Sequence, residues 1–342
     1  MKIFLYIISV LCLAACSKSP SKGICVALPA DVQVFEMDSV DSGVLLNATG
    51  MVALPDYLII SNLHKDTLFD VFDVHGLEYR YSGLIYGGGS NDMLPFRWIR
   101  PLDSHRFYAI GLGVPLVTVV NVEGGLKIDG RKQLEWEKDV CQNLYPLKNG
   151  KVLIQPGKRQ GGWSLYDVES GDVSDMPDSP FQEDEPEADM IQAFQYRAVN
   201  VAVNADKERI AFFYSKFPYV RFFDFDGNLL VECSVGEKIS DPDKFFRRKG
   251  MYYWGCSYTA DFIFVKYAPD NEVSDVTCFQ VWDWEGNLLS RFNVADKINL
   301  FTVSADGKRM FAAKNDNNHI FWCNIAPALD YKTGMSKLIE DK

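Results

Sequence analysis

The chain has 342 residues, of which 47% are hydrophobic and 13% aromatic, and its formal net charge is −11. This composition supplies a large core and excludes a disordered chain. The acidic balance argues against nucleic acid and anionic lipid surfaces as general partners, because both repel a negatively charged protein.

The N-terminus has the pattern of an export signal. Lys2 is followed by an apolar run over residues 3–13, which is too short to cross a membrane as a stable helix. The sequence LAAC at residues 13–16 resembles the lipobox of bacterial lipoproteins. That resemblance implies cleavage before Cys16 and lipidation of its thiol. We therefore interpret residues 1–15 as a lipoprotein signal peptide.

The predicted lipid anchor sets the expected location. Acyl chains on Cys16 would hold the protein at a membrane, since each buried methylene contributes about 0.8 kcal/mol. Residues 16–24 are mostly polar, with Pro and Gly, and are interpreted as the lipidated cysteine and a flexible tether. Residues 25–342 are predicted to form one domain. We expect a monomer in the cell envelope, anchored to the outer membrane, with the side of the membrane left open.

Five segments of the domain share a strand, then an Asp or Asn, then a Gly. Apolar and β-branched residues alternate through them, as half-buried strands require. The Asp or Asn can bond the turn backbone, and the Gly supplies positive φ. The segments are DVFDVHG (70–76), VVNVEG (119–124), SLYDVESG (164–171), RFFDFDG (221–227) and QVWDWEG (280–286). A sixth, IFWCNI (320–325), keeps the strand and loses the Gly.

A second turn precedes each segment at a nearly constant distance. Asp56 lies 17 residues before Asp73 (73 − 56), and Asp206 lies 18 before Asp224 (224 − 206). Such a repeat predicts an all-β fold, a six-bladed β-propeller with four strands in each blade. The last module has no fourth strand of its own. We predict that the alternating segment 31–37 supplies it and closes the ring, which removes an exposed edge.

The first blade also carries a family resemblance. The strands YLIIS (57–61) and LFDVFDVHG (68–76), followed by the Gly-rich residues 83–89, resemble the six-bladed TolB-like and NHL-like propeller lipoproteins of Bacteroides-type bacteria. In that family an acidic residue often follows the Gly-rich segment, whereas this chain has GGSNDM at residues 88–93. The resemblance implies fold and location, and little about activity.

The stretch GLIYGGGSND (83–92) raises the question of a phosphate-binding loop. Such a loop needs Lys and Ser or Thr after its last Gly, at the start of a helix. Here Ser90 and Asn91 follow Gly89, and Asp92 occupies the position of the third Gly of a dinucleotide fingerprint. We therefore predict a connection between two blades.

Two acidic segments raise the question of a calcium site. Residues 175–189 are rich in carboxylates, and Ca²⁺ prefers clustered oxygen ligands. The same run carries three prolines and lacks the glycine spacing of a calcium loop, which favours a solvated loop between blades three and four. The segment DFDGN (224–228) is explained by its repeat siblings as a turn. We predict no cofactor, with Ca²⁺ as the alternative.

The starts of the inner strands of a propeller surround one mouth of its central channel. Polar and aromatic residues occur there and suit a sugar, a peptide or another protein as ligand. The predicted ligand-binding residues are Arg97, Arg100, Asn143, Tyr145, Tyr196, Arg197, Asn200, Tyr252, Trp254 and Asn299. The alternative for some of them is packing between blades.

Three functions fit this architecture. The first is a non-catalytic binding or interaction scaffold for an envelope protein, peptide or glycan, and it is favoured because hydrolase motifs are missing. The second is a metal-dependent hydrolase resembling gluconolactonase-type propellers, which Asn143, Asn200 and Asn299 support slightly. The third is a lyase or glycan-processing enzyme that uses Tyr196 and Arg197, although neighbours along a strand point to opposite faces.

Overall fold

The structure is a computed structural model that describes residues 24–44, 46–62, 66–136, 140–157, 162–177, 179–181, 195–247, 250–268, 275–314 and 318–330. The predicted signal peptide and Cys16 lie outside the described residues, as does nearly all of the tether. Most of the acidic run 175–189 also lies outside them. Within the described ranges, no helix is long and apolar enough to cross a membrane.

The N-terminal segment contributes one short strand to each of the last three blades in chain order. They are β1 (Ile24–Val26), β2 (Val32–Phe35) and β3 (Asp38–Asp41).

Blades one to three follow in order, each with four antiparallel strands from the channel outwards. Blade one contains β4 (Ala48–Ala53), β5 (Tyr57–Asn62), β6 (Phe69–Asp73) and β7 (Tyr79–Gly83). Blade two contains β8 (Phe96–Pro101), β9 (Arg106–Gly111), β10 (Leu116–Asn121) and β11 (Lys127–Gln133). Blade three contains β12 (Cys141–Pro146), β13 (Lys151–Pro156), β14 (Ser164–Asp167) and β15 (Val173–Asp175).

Blades four to six use the N-terminal strands as well. Blade four contains β16 (Val199–Asn204), β17 (Arg209–Tyr214), β18 (Tyr219–Asp224), β19 (Leu229–Val235) and then β1. Blade five contains β20 (Tyr253–Tyr258), β21 (Phe262–Tyr267), β22 (Thr277–Asp283), β23 (Leu288–Val294) and then β2. Blade six contains β24 (Leu300–Val303), β25 (Arg309–Ala313), β26 (His319–Asn324) and then β3. Helix α1 (Pro242–Phe246) lies between blades four and five, and a 3₁₀ turn (Ala326–Leu329) follows β26.

The predicted six-bladed propeller with N-terminal closure is confirmed, with one correction to the closing strand. Residues 38–41, rather than 31–37, form the fourth strand of blade six, antiparallel to β26. Strand β2 lies inside the predicted segment and is a fifth strand of blade five, parallel to β23. Alternation marks an extended segment but does not specify its neighbour, and here the chain crosses the rims of three blades in succession.

Apolar side chains from adjacent blades pack against each other around the ring. Trp282 and Trp284 of blade five, for example, are fully buried in a cluster that includes Phe213 and Phe222 of blade four. Burying an aromatic or aliphatic side chain of this size contributes about 1.5–3 kcal/mol. The interfaces between blades therefore carry the core and hold the channel walls in place.

The repeated turns use their acidic residues as predicted. The Asp224 carboxylate accepts the N–H groups of Asp226 and Asn228, both at 2.9 Å. Gly227 adopts a φ of +82° in that turn. In blade one the expectation was wrong in detail, because Leu77 rather than Gly76 takes the positive φ, at 58°. Leu77 is buried in the core, and this packing offsets the cost of the left-handed backbone.

The Gly-rich stretch is a connection between blades, as predicted. It joins β7, the outer strand of blade one, to β8, the inner strand of blade two. Its Asp92 carboxylate accepts the N–H of Gly89 at 2.8 Å, so the acidic group at the position of the fingerprint's third Gly closes the loop on itself.

Candidate binding site at the channel mouth

The inner strands surround a central channel that holds two cavities, one at each end. The cavity at the end where these strands begin has a volume of about 360 Å³ and is called the mouth here. The cavity at the other end has a volume of about 560 Å³. Arg100, Tyr145 and Tyr258 border both cavities and form the waist between them.

The structure brings together six of the ten predicted ligand-binding residues. The six line the mouth and are Arg97, Arg100, Asn143, Tyr145, Asn200 and Asn299. Their binding role remains a prediction, but their convergence from four blades on one cavity is a property of the fold.

Two of the other four residues pack around α1. The Tyr196 ring stacks on Phe246 at 4.5 Å, and its hydroxyl donates to Asp243 at 2.9 Å. Tyr252 is buried, its ring lies 6.2 Å from that of Phe245 in α1, and its hydroxyl lies 3.4 Å from Glu237 Oε1. Both tyrosines therefore support the segment that joins blades four and five, outside the mouth.

Arg197 and Trp254 lie away from the mouth for different reasons. Arg197 borders a small separate cavity with Trp163 and Pro177. Trp254 is 51% exposed, and Lys266 Nζ lies 5.2 Å from the centre of its ring. A β-bulge at Gly255 changes which side of the strand faces the channel, so Cys256 points to the channel and Trp254 does not.

That bulge recurs near the start of four of the six inner strands. In each case one residue has no partner on the neighbouring strand, and these residues are Thr49, Arg97, Gln142 and Gly255. All four line the mouth. Bulges re-aim side chains and are common beside functional sites. Sequence reasoning missed them because strict alternation was assumed, and it therefore also missed Trp98 and Gln142 as lining residues.

Arg100 is held firmly at the waist. Its Nη2 donates to Asn143 Oδ1 at 2.5 Å, and its guanidinium lies 3.6 Å from the centre of the Tyr145 ring. The Tyr145 hydroxyl donates in turn to the carbonyl of Val201 at 3.1 Å. This series of contacts joins blades two, three and four, and it presents a cation to the channel with little freedom to move.

The electrostatics of the mouth differ from those of the whole chain. Among the described residues that line it, Arg97 and Arg100 are charged and no carboxylate occurs. Desolvation raises the pKa of the nearby Cys256 thiol to about 12, although the positive charge of Arg100 acts in the opposite direction. A chain with a net charge of −11 thus has a positive cavity on its axis.

Two of the three asparagines that suggested a cation site, Asn143 and Asn200, have side-chain oxygens that already accept hydrogen bonds within the protein. Asn143 Oδ1 accepts bonds from Arg100 and from the Leu144 N–H. Asn200 Oδ1 accepts the Gly255 N–H at 2.7 Å. A cation at Asn143 would also meet the guanidinium of Arg100, and like charges at such distances repel strongly in a partly buried site. The described residues contain no cluster of three or more His, Cys, Asp or Glu that could hold a metal.

Two solved structures share this architecture. A member of the DUF4221 family from Bacteroides vulgatus ATCC 8482 aligns over 86% of this chain and 96% of its own, with a TM-score of 0.60 and 11% identity. A putative exported protein from Bacteroides fragilis NCTC 9343 aligns over 88% of this chain and 98% of its own, with a TM-score of 0.55 and 12% identity. At these identities the likeness shows the propeller fold alone.

No family model and no curated protein matches the chain. The six-bladed propeller part of the expected resemblance is therefore supported by structure. Membership of a TolB-like or NHL-like family stays a prediction.

Proposed function

We propose that this protein is a cell-envelope lipoprotein whose propeller binds a ligand at the channel mouth without chemical conversion. The LAAC sequence supports the lipid anchor on Cys16. The observation that carries the binding role is the mouth itself, where side chains from several blades converge on one cavity and Arg100 is fixed by Asn143 and Tyr145. Such a site is already organised before a ligand arrives, which lowers the entropic cost of binding.

The metal-dependent hydrolase is not proposed in its place. Its metal would need oxygen ligands at the mouth, and the Oδ1 atoms of Asn143 and Asn200 accept protein N–H groups. The positive charge of Arg100 further opposes a cation beside Asn143.

Fractionation of cells tests the anchor. We expect the full chain to sediment with membranes and the Cys16→Ala variant to become soluble after export, because the acyl chains supply the membrane affinity. Incorporation of labelled palmitate provides a second readout. Equal labelling and equal sedimentation of the two forms would contradict the lipoprotein interpretation.

Calorimetry of the full chain in detergent tests the binding site. Panels of peptides and oligosaccharides are titrated into the protein and into the Arg100→Met variant. A ligand of the mouth should bind the parent about tenfold or more tightly than the variant, because a hydrogen bond to a charged group contributes about 1.5–3 kcal/mol. Arg247→Gln is the control, since its side chain is 81% exposed beside α1. Ligands that bind both variants as well as the parent would place the site elsewhere.

A further inference from the structure

A hydrophobic surface continues from the mouth onto blades two and three. It consists of Leu94, Trp98, Leu112, Val114 and Val140, and it is called the apolar platform here. All five side chains are exposed, with Leu112 at 54% and Val140 at 50%. More than half of the large hydrophobic side chains that are exposed among the described residues lie on this platform or beside it, at Ile85 and Tyr86. Clustering of this kind marks an interaction surface, whereas single exposed apolar residues are normal.

Backbone contacts show that the platform is continuous. The N–H of Leu112 donates to the carbonyl of Pro95 at 3.0 Å, which brings the β9–β10 connection beside the segment that enters β8. An isolated bridge joins Gly113 to Cys141, and Val140 lies against Gly113. Arg97 and Trp98 then continue from this surface into the mouth.

The two arginines beside the platform have no carboxylate partner among the described residues. Arg97 is exposed, and its guanidinium lies 5.1 Å from the centre of the Trp98 ring. Arg100 donates to an amide oxygen instead of a carboxylate. Asp92, in the loop that borders the platform, turns its carboxylate back to the N–H of Gly89. The mouth therefore offers two cations that can pair with an external anion.

We propose that the mouth and the apolar platform together bind an acidic peptide segment of a protein partner, with its carboxylate on Arg97 and Arg100 and its aliphatic side chains on the platform. The proposal rests on the proposed function, because it names the ligand class of the same site. Guanidinium groups pair with carboxylates through charge-assisted hydrogen bonds. Four of the five platform residues lie outside the mouth and are aliphatic. They suit Leu, Ile or Val side chains better than the polar faces of a sugar.

The test uses two pools of short synthetic peptides and the full chain in detergent micelles. One pool has Asp or Glu at its centre, flanked by Leu, Ile and Val. The other is identical but carries Asn or Gln at that centre. Fluorescence anisotropy gives the dissociation constants. We expect the acidic pool to bind about tenfold more tightly or better, and added salt to reduce the difference.

Variants connect the binding to the named residues. Arg97→Gln and Arg100→Met should each weaken binding of the acidic pool by about tenfold to a hundredfold. Arg97→Gln keeps the test valid if Arg100→Met perturbs the waist, since Arg97 is exposed. Leu112→Asp should weaken binding as well, by removing apolar contact and adding a repulsive charge. Leu230→Asp, at a 44% exposed site on the outer part of blade four, is its matched control.

Four outcomes would overturn the inference. Equal binding of the two pools would show that the peptide carboxylate does not contribute. Unchanged binding of the acidic pool by both arginine variants would show that the peptide does not bind at Arg97 and Arg100. If uronic-acid oligosaccharides bind through Arg100 and neither peptide pool does, the proposed binding function stands and the peptide inference fails. If no peptide and no oligosaccharide binds, both fail.

Discussion

The two ends of the channel differ in how their polar side chains are used. At the end opposite the mouth lie the repeated turns, and their polar groups are bonded within the turns themselves. Asn204 Oδ1, for example, accepts the N–H groups of Asp206 and Lys207, and Asp103 pairs with Arg106 at 2.6 Å. At the mouth, Arg97 and Arg100 have no such local carboxylate among the described residues.

This contrast separates the turns, which are bonded within themselves, from the proposed binding site at the other end of the same axis. The turn end repeats from blade to blade, because similar turns that bond to an Asp or Asn side chain recur there. At the mouth a bulge recurs in four blades, but the residue at its position differs in each, being Thr49, Arg97, Gln142 or Gly255. In a fold built from repeats, the positions that break the repeat are the better candidates for a site.

Substituting two tryptophans, one at each end, should give the largest expected difference in the free energy of unfolding. Trp284 lies at the turn end, is fully buried and donates its indole N–H to the Thr259 carbonyl at 3.1 Å. Trp284→Ala should lower the free energy of unfolding by about 3–5 kcal/mol, because it leaves a cavity in the core. Trp254→Ala, at the start of β20 and outside the lining of the mouth, should lower it by less than about 1 kcal/mol, since Trp254 is half exposed. Denaturant titration measures the free energy of unfolding of both variants. Equal decreases in the two variants would contradict the expected difference between the ends.

The acidic residues of the turns predict that the free energy of unfolding depends on pH, and that this dependence arises at the turn end. Hydrogen bonds from the Gly76 backbone and the Arg80 side chain lower the pKa of Asp73 below its usual 3.8. Backbone bonds from Ser170 and Glu169 do the same for Asp167. A lowered folded-state pKa means that the stabilisation is complete above the unfolded pKa and is lost as the pH falls through the folded value.

We therefore expect the free energy of unfolding to decrease as the pH falls below about 4. In Asp73→Asn and Asp167→Asn the decrease should be shallower, because the titrating group is gone. Asn299→Ser, at the mouth, is the control, since it alters no turn and adds no titrating group. Urea titrations between about pH 2.5 and 7 measure the slopes, and parallel curves for parent and turn variants would refute the assignment.

The smallest expected effect on stability is at the waist. Arg100→Met keeps most of the side-chain volume and removes a partly buried cation that has no carboxylate partner among the described residues. We expect a change of less than about 1 kcal/mol in the free energy of unfolding, since lost hydrogen bonding is offset by lower desolvation cost. A large loss of stability would show that Arg100 serves the fold rather than a ligand.

Some features of the molecule follow from local sequence pattern, and others do not. Asp224 with Gly227 and Asp283 with Gly286 indicate turns by themselves, because an Asp that bonds the backbone and a Gly at positive φ act within a few residues. Tyr196, Tyr252 and Tyr145 are all tyrosines near the starts of inner strands. The first two pack around α1, whereas Tyr145 lies under Arg100. Only the position of α1 and the loop between blades four and five distinguishes them.

The sequence by itself determined the blade count, the positions of the turns and the need for an N-terminal closing strand. These depend on alternation and on short-range turn chemistry, which recur at regular spacing in the chain. The tertiary structure decided which strand closes the ring, which side chains the bulges turn into the channel, and that Arg100 meets Asn143 and Tyr145. Those outcomes depend on contacts between residues far apart in the chain, and no local pattern encodes which distant groups will meet.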